Sequence, residues 1–313
     1  MTEPLKLTKP WLVAVWPGMG HVALNAGFHL LSKLEMTGIA EFESPELFDV
    51  DQLEVKGGII QPARRPRNRF FVRRDPKQRH DLVLFMGEAQ PPIGKSAFCR
   101  NVVEFAKQLG VERVFTFAAM ATQMQPGAES RVFAAATDSA NLEELKRLEL
   151  KMLDEGHIGG LNGLLLGVAA EAGIHGACLL GEMPHIFAQL PYPKASHAIL
   201  DAFTTLAGIE LDLEELAEQG RVVDEQLSEL LAKLQSAGDD EEPGDESEFP
   251  DAEEDEPAAP IIDPHHTPPR IEALFAEAMK DRSKALELKQ ELDRLHIFKE
   301  HEDRFLDLFK KAG

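Results

Sequence analysis

Short apolar runs alternate with stretches of three- and four-residue apolar spacing through the first 210 residues. WLVAVW (11–16) reads as a buried strand and HVALNAGFHLLSKLEM (21–36) as a helix. IAEFE (39–43), VKGGII (55–60) and RFFVRR (69–74) read as three more strands. DLVLFMGE (81–88) is continuously apolar until its end, as expected of a strand buried on both faces. Phe98, Val102, Phe105 and Leu109 space a helix across 95–109. RVFTFAAMA (113–121) and SRVFAAATD (130–138) then read as strands, and NLEELKRL (141–148) as a helix. After HIGGLNGLLLG (157–167) come a strand, GACLLGEMP (176–184), and a helix from about Lys194 to Ala207. This alternation predicts an α/β fold of three α/β/α layers around a mostly parallel sheet.

The pattern changes after 210. LDLEELAEQGRVVDEQLSELLAKLQ (211–235) predicts an amphipathic helix or helix pair, closing a first domain over 1–236. Residues 237–262 are acidic and proline-bearing with almost no apolar side chains. Such a segment buries too little surface to offset its ordering entropy, which predicts a disordered linker. Residues 263–313 are rich in helix formers, with Pro269 suited to a first helical turn. Ile271, Leu274, Phe275, Ala278, Leu288, Leu292, Leu295, Phe298, Phe305, Leu308 and Phe309 form an apolar stripe. One long helix or a helical hairpin is expected, and its stripe needs something to pack against.

Charge alters this picture less than its total suggests. The net charge is −21, but the segment 239–256 holds twelve Asp or Glu and no Lys or Arg, and without it −9 remains. Two cysteines, Cys99 and Cys178, make no disulfide framework or metal motif, so a reducing cytoplasm is the simplest setting. No apolar run reaches the length of a membrane span. The basic stretch RRPRNRFFVRRDPKQRH (64–80) carries eight Arg or Lys against one Asp. With Phe70 and Phe71 it invites a nucleic-acid reading. A solvated hairpin with inward phenylalanines, or a patch screened by the acidic segment, ranks above it.

Three loops carry the candidate chemistry. Gly18-x-Gly20-x-x-Ala23, between a strand and a helix, fits a loose dinucleotide fingerprint. His21 lies within it, and Glu41 or Glu43 stands where a ribose-binding acid would be wanted. A tight strand-to-helix corner selects the same glycines. At the second loop, His157, Gly159, Gly160, Asn162 and Gly163 could bare backbone N–H groups, with Asn162 a candidate N-cap. The Lys-Ser/Thr of a phosphate loop is absent, and close packing at Gly163 and Gly167 is the plainer reading. At the third, Glu182, Pro184 and His185 follow a buried strand, and Glu88 holds the corresponding place one unit earlier. Two such acids could form a general acid/base pair, or simply favour helix N-termini. No metal set and no cofactor is assigned.

Four segments in order resemble the PAC2 family of proteasome-assembly-chaperone-like proteins. They are PGMGHVALNAGFHLLSKLEMTGIAEFESPELFDV, DLVLFMGEAQPP, GHIGGLNGLLLGVAAEAGIHGACLLGEMPH and PYPKASHAILDAF, together covering about 10–220. The resemblance implies one α/β/α domain, self-association as a dimer or trimer or pairing with a relative, and a non-enzymatic chaperone or adaptor role toward a protein client. It marks Gly18, Gly20, Gly160, Asn162, Gly163, Glu182 and Pro184 as shape-defining. Relatives that activate proteasomes dock a C-terminal hydrophobic-Tyr-X tail. Here Tyr192 is the single tyrosine and the sequence ends KKAG, so that docking route is not expected. The rival expectation is a small-molecule binder or a hydrolase- or phosphorylase-like enzyme using a cleft at the strand C-termini, among the three loops.

Overall fold

A computed structural model describes residues 5–42, 44–48, 53, 55–148, 150–239, 269–281, 284–295 and 297–309. The expected linker lies almost wholly outside the described residues, as do Glu43 and residues 310–313.

The strands, in chain order, are β1 (Trp11–Val15), β2 (Thr37–Phe42), β3 (Val55–Lys56), β4 (Ile59–Ile60), β5 (Asn68–Arg73), β6 (Leu82–Gly87), β7 (Arg113–Thr122), β8 (Val132–Ala136), β9 (Lys151–Met152) and β10 (His175–Pro184). The helices are α1 (Val22–Lys33), α2 (Lys95–Gln108), α3 (Ser139–Arg147), α4 (Gly160–Glu171), α5 (Pro193–Ala207), α6 (Glu214–Asp239), α7 (Pro269–Lys280), α8 (Ala285–Arg294) and α9 (Phe298–Asp307). Eight strands form one mixed sheet in the order β2-β5-β6-β1-β7-β10-β8-β9. Its central strands β6, β1, β7 and β10 are parallel, while β5, β2 and β8 run antiparallel to their inner neighbours.

Side-chain alternation builds the two cores. Val13 and Val15 of β1 face one side with Leu84, Met86, Phe115 and Leu179, under α1 and α5. Leu12 and Ala14 face the other with Phe70, Phe85, Val114 and Cys178, under α2 and α4. A sheet buried on both faces explains the continuous apolar runs of β6 and β10. Among the described residues, no helix is long and apolar enough to cross a membrane.

VKGGII departs from its single-strand expectation. Gly57 and Gly58 take φ of +57° and +79°, turning the run into a two-residue-per-arm hairpin outside the main sheet. At the other extreme, 211–235 resolves as one helix, α6. Its Gly220 lets α6 approach α5 closely, since a Cβ there would stand 3.1 Å from the Lys194 backbone.

The C-terminal stripe forms neither one long helix nor a hairpin but three short helices. Ile271, Phe275, Leu288, Leu292, Phe305 and Phe309 join the same apolar cluster as α1 and β1, so the module packs on its own chain. No proline or glycine breaks the chain between α7 and α9.

Candidate functional site

The expected loops lie at the carboxyl ends of β1, β6 and β10 or at the start of α4. At the first corner, Gly18 is extended (φ −168°), a conformation open to any residue. Gly20 is not replaceable in that way: its φ is +60°, and a Cβ would lie 2.7 Å from Met183 Sδ. Its N–H donates to the Ala188 carbonyl and its own carbonyl accepts from Tyr192 N, both at 2.9 Å. His21 N–H donates to Gly18 O at 3.1 Å, leaving the His21 side chain exposed. Two of the amides that a pyrophosphate would need, those of Gly20 and His21, are spent within the protein. The ribose acid is also misplaced. β2 is separated from β1 by β5 and β6, and Glu41 on it is paired with Arg67 at 2.6 Å and Arg69 at 3.1 Å.

At the second corner α4 begins earlier than expected, so its N-cap is Gly159 and not Asn162. Gly160 adopts φ +68° at the first helical position. Asn162 lies inside the first turn. Its carbonyl accepts from Thr116 Oγ1 at 3.2 Å, and its buried Oδ1 has no hydrogen-bond partner among the described residues. Gly163 is a close-packing position, since a Cβ would strike the Ile158 carbonyl; Gly167 has open space instead. His157 is exposed.

Gln90 joins the two corners, and the sequence gives no sign of it. Its Nε2 donates to the Pro17 carbonyl at 3.1 Å, and its Oε1 accepts from Leu161 N at 3.2 Å. The same Oε1 lies 2.7 Å from where a Cβ on Gly160 would sit. The glycine corners therefore face each other across an amide side chain that satisfies both.

The two carboxylates are not brought together. β1 and β7 stand between β6 and β10, a separation of about 14 Å at ordinary strand spacing. Glu88 is buried and accepts from Arg69 Nη1 at 2.8 Å, and from Arg64 Nη2 and Arg67 N at 3.1 Å. Burial pushes its pKa up, as does the nearby Glu302, against the pull of Arg64 and Arg69. Glu182, also buried, takes a bidentate pair of 2.6 Å contacts from Arg131 and a 2.7 Å bond from Thr122 Oγ1. The Arg131 hydrogen bonds hold its carboxyl below the usual range despite burial. One acid is thus pushed toward the neutral form and the other held ionised, in separate ion-pair clusters. His185 is exposed, with Nδ1 3.1 Å from the Thr122 carbonyl oxygen.

The basic stretch is largely neutralised within the chain. Arg64, Arg67 and Arg69 meet Asp303 of α9 as well as Glu41 and Glu88, while Arg79 pairs with Asp75 and Lys77 with Glu210. Phe70 and Phe71 point into the two opposite cores. Clefts do exist elsewhere: one of about 600 Å³ between α5 and α6 is lined by Lys194, His197, Arg221 and Asp224, and contains none of the loop residues above. Among the described residues, no group of three His, Cys, Asp or Glu is placed to hold a metal ion.

Comparison with known proteins gives this architecture a family. Residues 12–231 match the PAC2 family. The uncharacterized protein MJ1210 of Methanocaldococcus jannaschii is 29% identical over 236 residues, which cover 74% of this chain and 86% of the relative. The crystal structure of Pyrococcus furiosus PbaB, an archaeal proteasome activator, superposes with a TM-score of 0.61 at 26% identity. The match covers 74% of this chain and 96% of that one. The Mycobacterium tuberculosis proteasome-assembly chaperone homologue Rv2125 shares the fold, with a TM-score of 0.61 at 22% identity over 70% of this chain and 94% of its own. With a family match running from the first strand into α6, this chain belongs to the PAC2 family.

Proposed function

We propose that this protein is a cytoplasmic, non-enzymatic assembly chaperone or adaptor that acts as a homo-oligomer and works by binding protein surfaces. The observation that carries the reading is the filled crevice at the strand ends. Open α/β sheets hold small ligands there, but here Gln90 stitches the two glycine corners and each buried carboxylate is tied to arginine. Around the same loops, Met19, Ile93, Ile186 and Leu190 are exposed at 45%, 65%, 51% and 42%. An apolar rim around a closed crevice suits a protein surface better than a small molecule. The kinship with PbaB and the Rv2125 fold supports the same class of role and makes proteasome subunits the first clients to test.

The test is light scattering on the full chain, paired with its ability to keep an aggregating client soluble, using isolated proteasome subunits first. A defined oligomer that retains the client is expected, and Ile186→Glu with Met19→Glu should weaken retention. A monomer at all concentrations, with no retention of any client, would refute the proposal.

A further inference from the structure

The C-terminal module packs over α1 and reaches the β2–β5 border of the sheet, where Asp303 of α9 joins the ion-pair cluster of Glu88. Part of its contact is aromatic. Phe298 and Phe305 stand edge-on to Phe28 of α1, with ring centres 5.1 and 5.6 Å away, and Phe309 stands edge-on to Phe71 of β5 at 6.5 Å. The rest is ionic. Asp303 lies among Arg64, Arg67 and Arg69 at 2.9, 3.0 and 2.5 Å. Glu41 and Glu88 of the domain contact these arginines too, but Asp303 of α9 is the carboxylate that meets all three guanidinium groups.

Two features mark this as a docking surface. First, its occupant lies outside the family-matched region: the match ends at 231, and α7 begins at Pro269. Second, the occupant carries a recognition pattern. Phe298 and Phe305 lie at i and i+7 on one stripe of α9, Phe309 follows in the turn just past its end, and Asp303 lies between them on the same helix. An amphipathic helix laid into an apolar groove, with one charge to fix its register, is a recurring mode of partner recognition.

We propose that the α1, β2 and β5 face is a docking site for acidic, aromatic amphipathic helices of a partner protein, with α9 as its intramolecular occupant. Covalent connection gives a tethered occupant an effective concentration on the order of millimolar. A free helix therefore binds only in the fraction of molecules from which α9 has lifted, and its apparent affinity falls by that fraction. α9 sets the threshold that a partner must overcome. The partner must supply both the aromatic stripe and the carboxylate, because Asp303 is the group that meets all three arginines and leaves with α9.

The probe is a fluorescent peptide of residues 269–309, titrated by anisotropy into the full chain and into full-length F305A/F309A. At least tenfold tighter binding to the variant is expected, and a peptide carrying D303K should bind neither. Equal affinity for the two chains, or for the two peptides, overturns the proposal. Hydrogen exchange on the unmodified chain gives a reading that does not depend on the variant folding. The amides of α7–α9 should exchange as a unit, faster than those of β1 and β6. Exchange of α9 only with the whole sheet would make it core and overturn the idea. Light scattering of F305A/F309A should match wild type, and a changed mass would assign the face to self-association instead.

Discussion

Asp303 and Arg69 stand 234 positions apart in the chain and 2.5 Å apart in space. Through this contact the last described helix answers a guanidinium that is almost wholly buried on β5, beside Glu88. The cluster has two acids with opposite tendencies, which makes its pH dependence specific.

Burial alone would raise the Asp303 pKa, but hydrogen bonds from Arg64, Arg69 and Arg67 hold it well below the ordinary aspartate range. A carboxyl depressed in the folded state contributes stability that is complete above its unfolded pKa of about 4 and is lost as pH falls below it. Glu88 has the opposite sign: its raised pKa makes protonation relieve a cost as pH falls toward about 4. Asp303→Asn keeps the shape and removes only the first contribution. Because Asp303 retains solvent access, a loss of about 1–2 kcal/mol at pH 7 is expected. Thermal melts should show that difference shrinking between pH 4 and pH 2. A difference independent of pH would mean that the ion pairs contribute nothing.

Gln90→Ala leaves the Pro17 carbonyl and the Leu161 N–H without their partner. Unsatisfied buried groups cost about 1–3 kcal/mol each, less where water enters the vacated space. The urea midpoint should fall with an unchanged slope, and an unaltered midpoint would show that the corners hold without the bridge.

The glycines of α4 should respond in opposite directions. Gly163→Ala drives a methyl into the Ile158 carbonyl and should destabilise by about 1–3 kcal/mol, the usual scale of overpacking. Gly167→Ala meets open space on the exposed side of the same helix and should stabilise by about 0.5–1 kcal/mol. Denaturant titration of the two single variants checks the sign of each.

Burial pushes both Cys99 and Cys178 thiols up to about 12. Since the thiolate is the reactive form, a thiol reagent at pH 8 should label neither in the native protein and both after unfolding. Labelling would then report global opening, and rapid native labelling of either would show a local route to the core.

What was legible along the chain was what depends on local period. β6 and β10 announced themselves as continuous apolar runs, and α1 and α2 by their spacing. VKGGII misled because its glycines turn the chain where the pattern alone suggests continuation. Asn162 misled because a helix start is decided by backbone angles, and Gly160 takes the left-handed conformation two residues earlier. Glu88 and Glu182 were visible as acids at strand ends. Their partners were not: Arg69 is 19 positions from Glu88 and Arg131 is 51 from Glu182, and only the strand order brings each pair together. Gln90 had no pattern at all, being one polar residue in a loop.

The bent strand β2 carries a consequence of its own. It is one border of the sheet, its pairing with β5 shifts register between Gly38 and Ala40, and its Gly38 N–H is taken by the Phe309 carbonyl at 2.7 Å. The opposite border, β9, is only two residues long. A border strand with free N–H and C=O groups is a template for pairing with another chain, and short, irregular or covered borders deny it. Both margins are blunted while the C-terminal segment stays in place, so growth by strand addition into fibres is disfavoured.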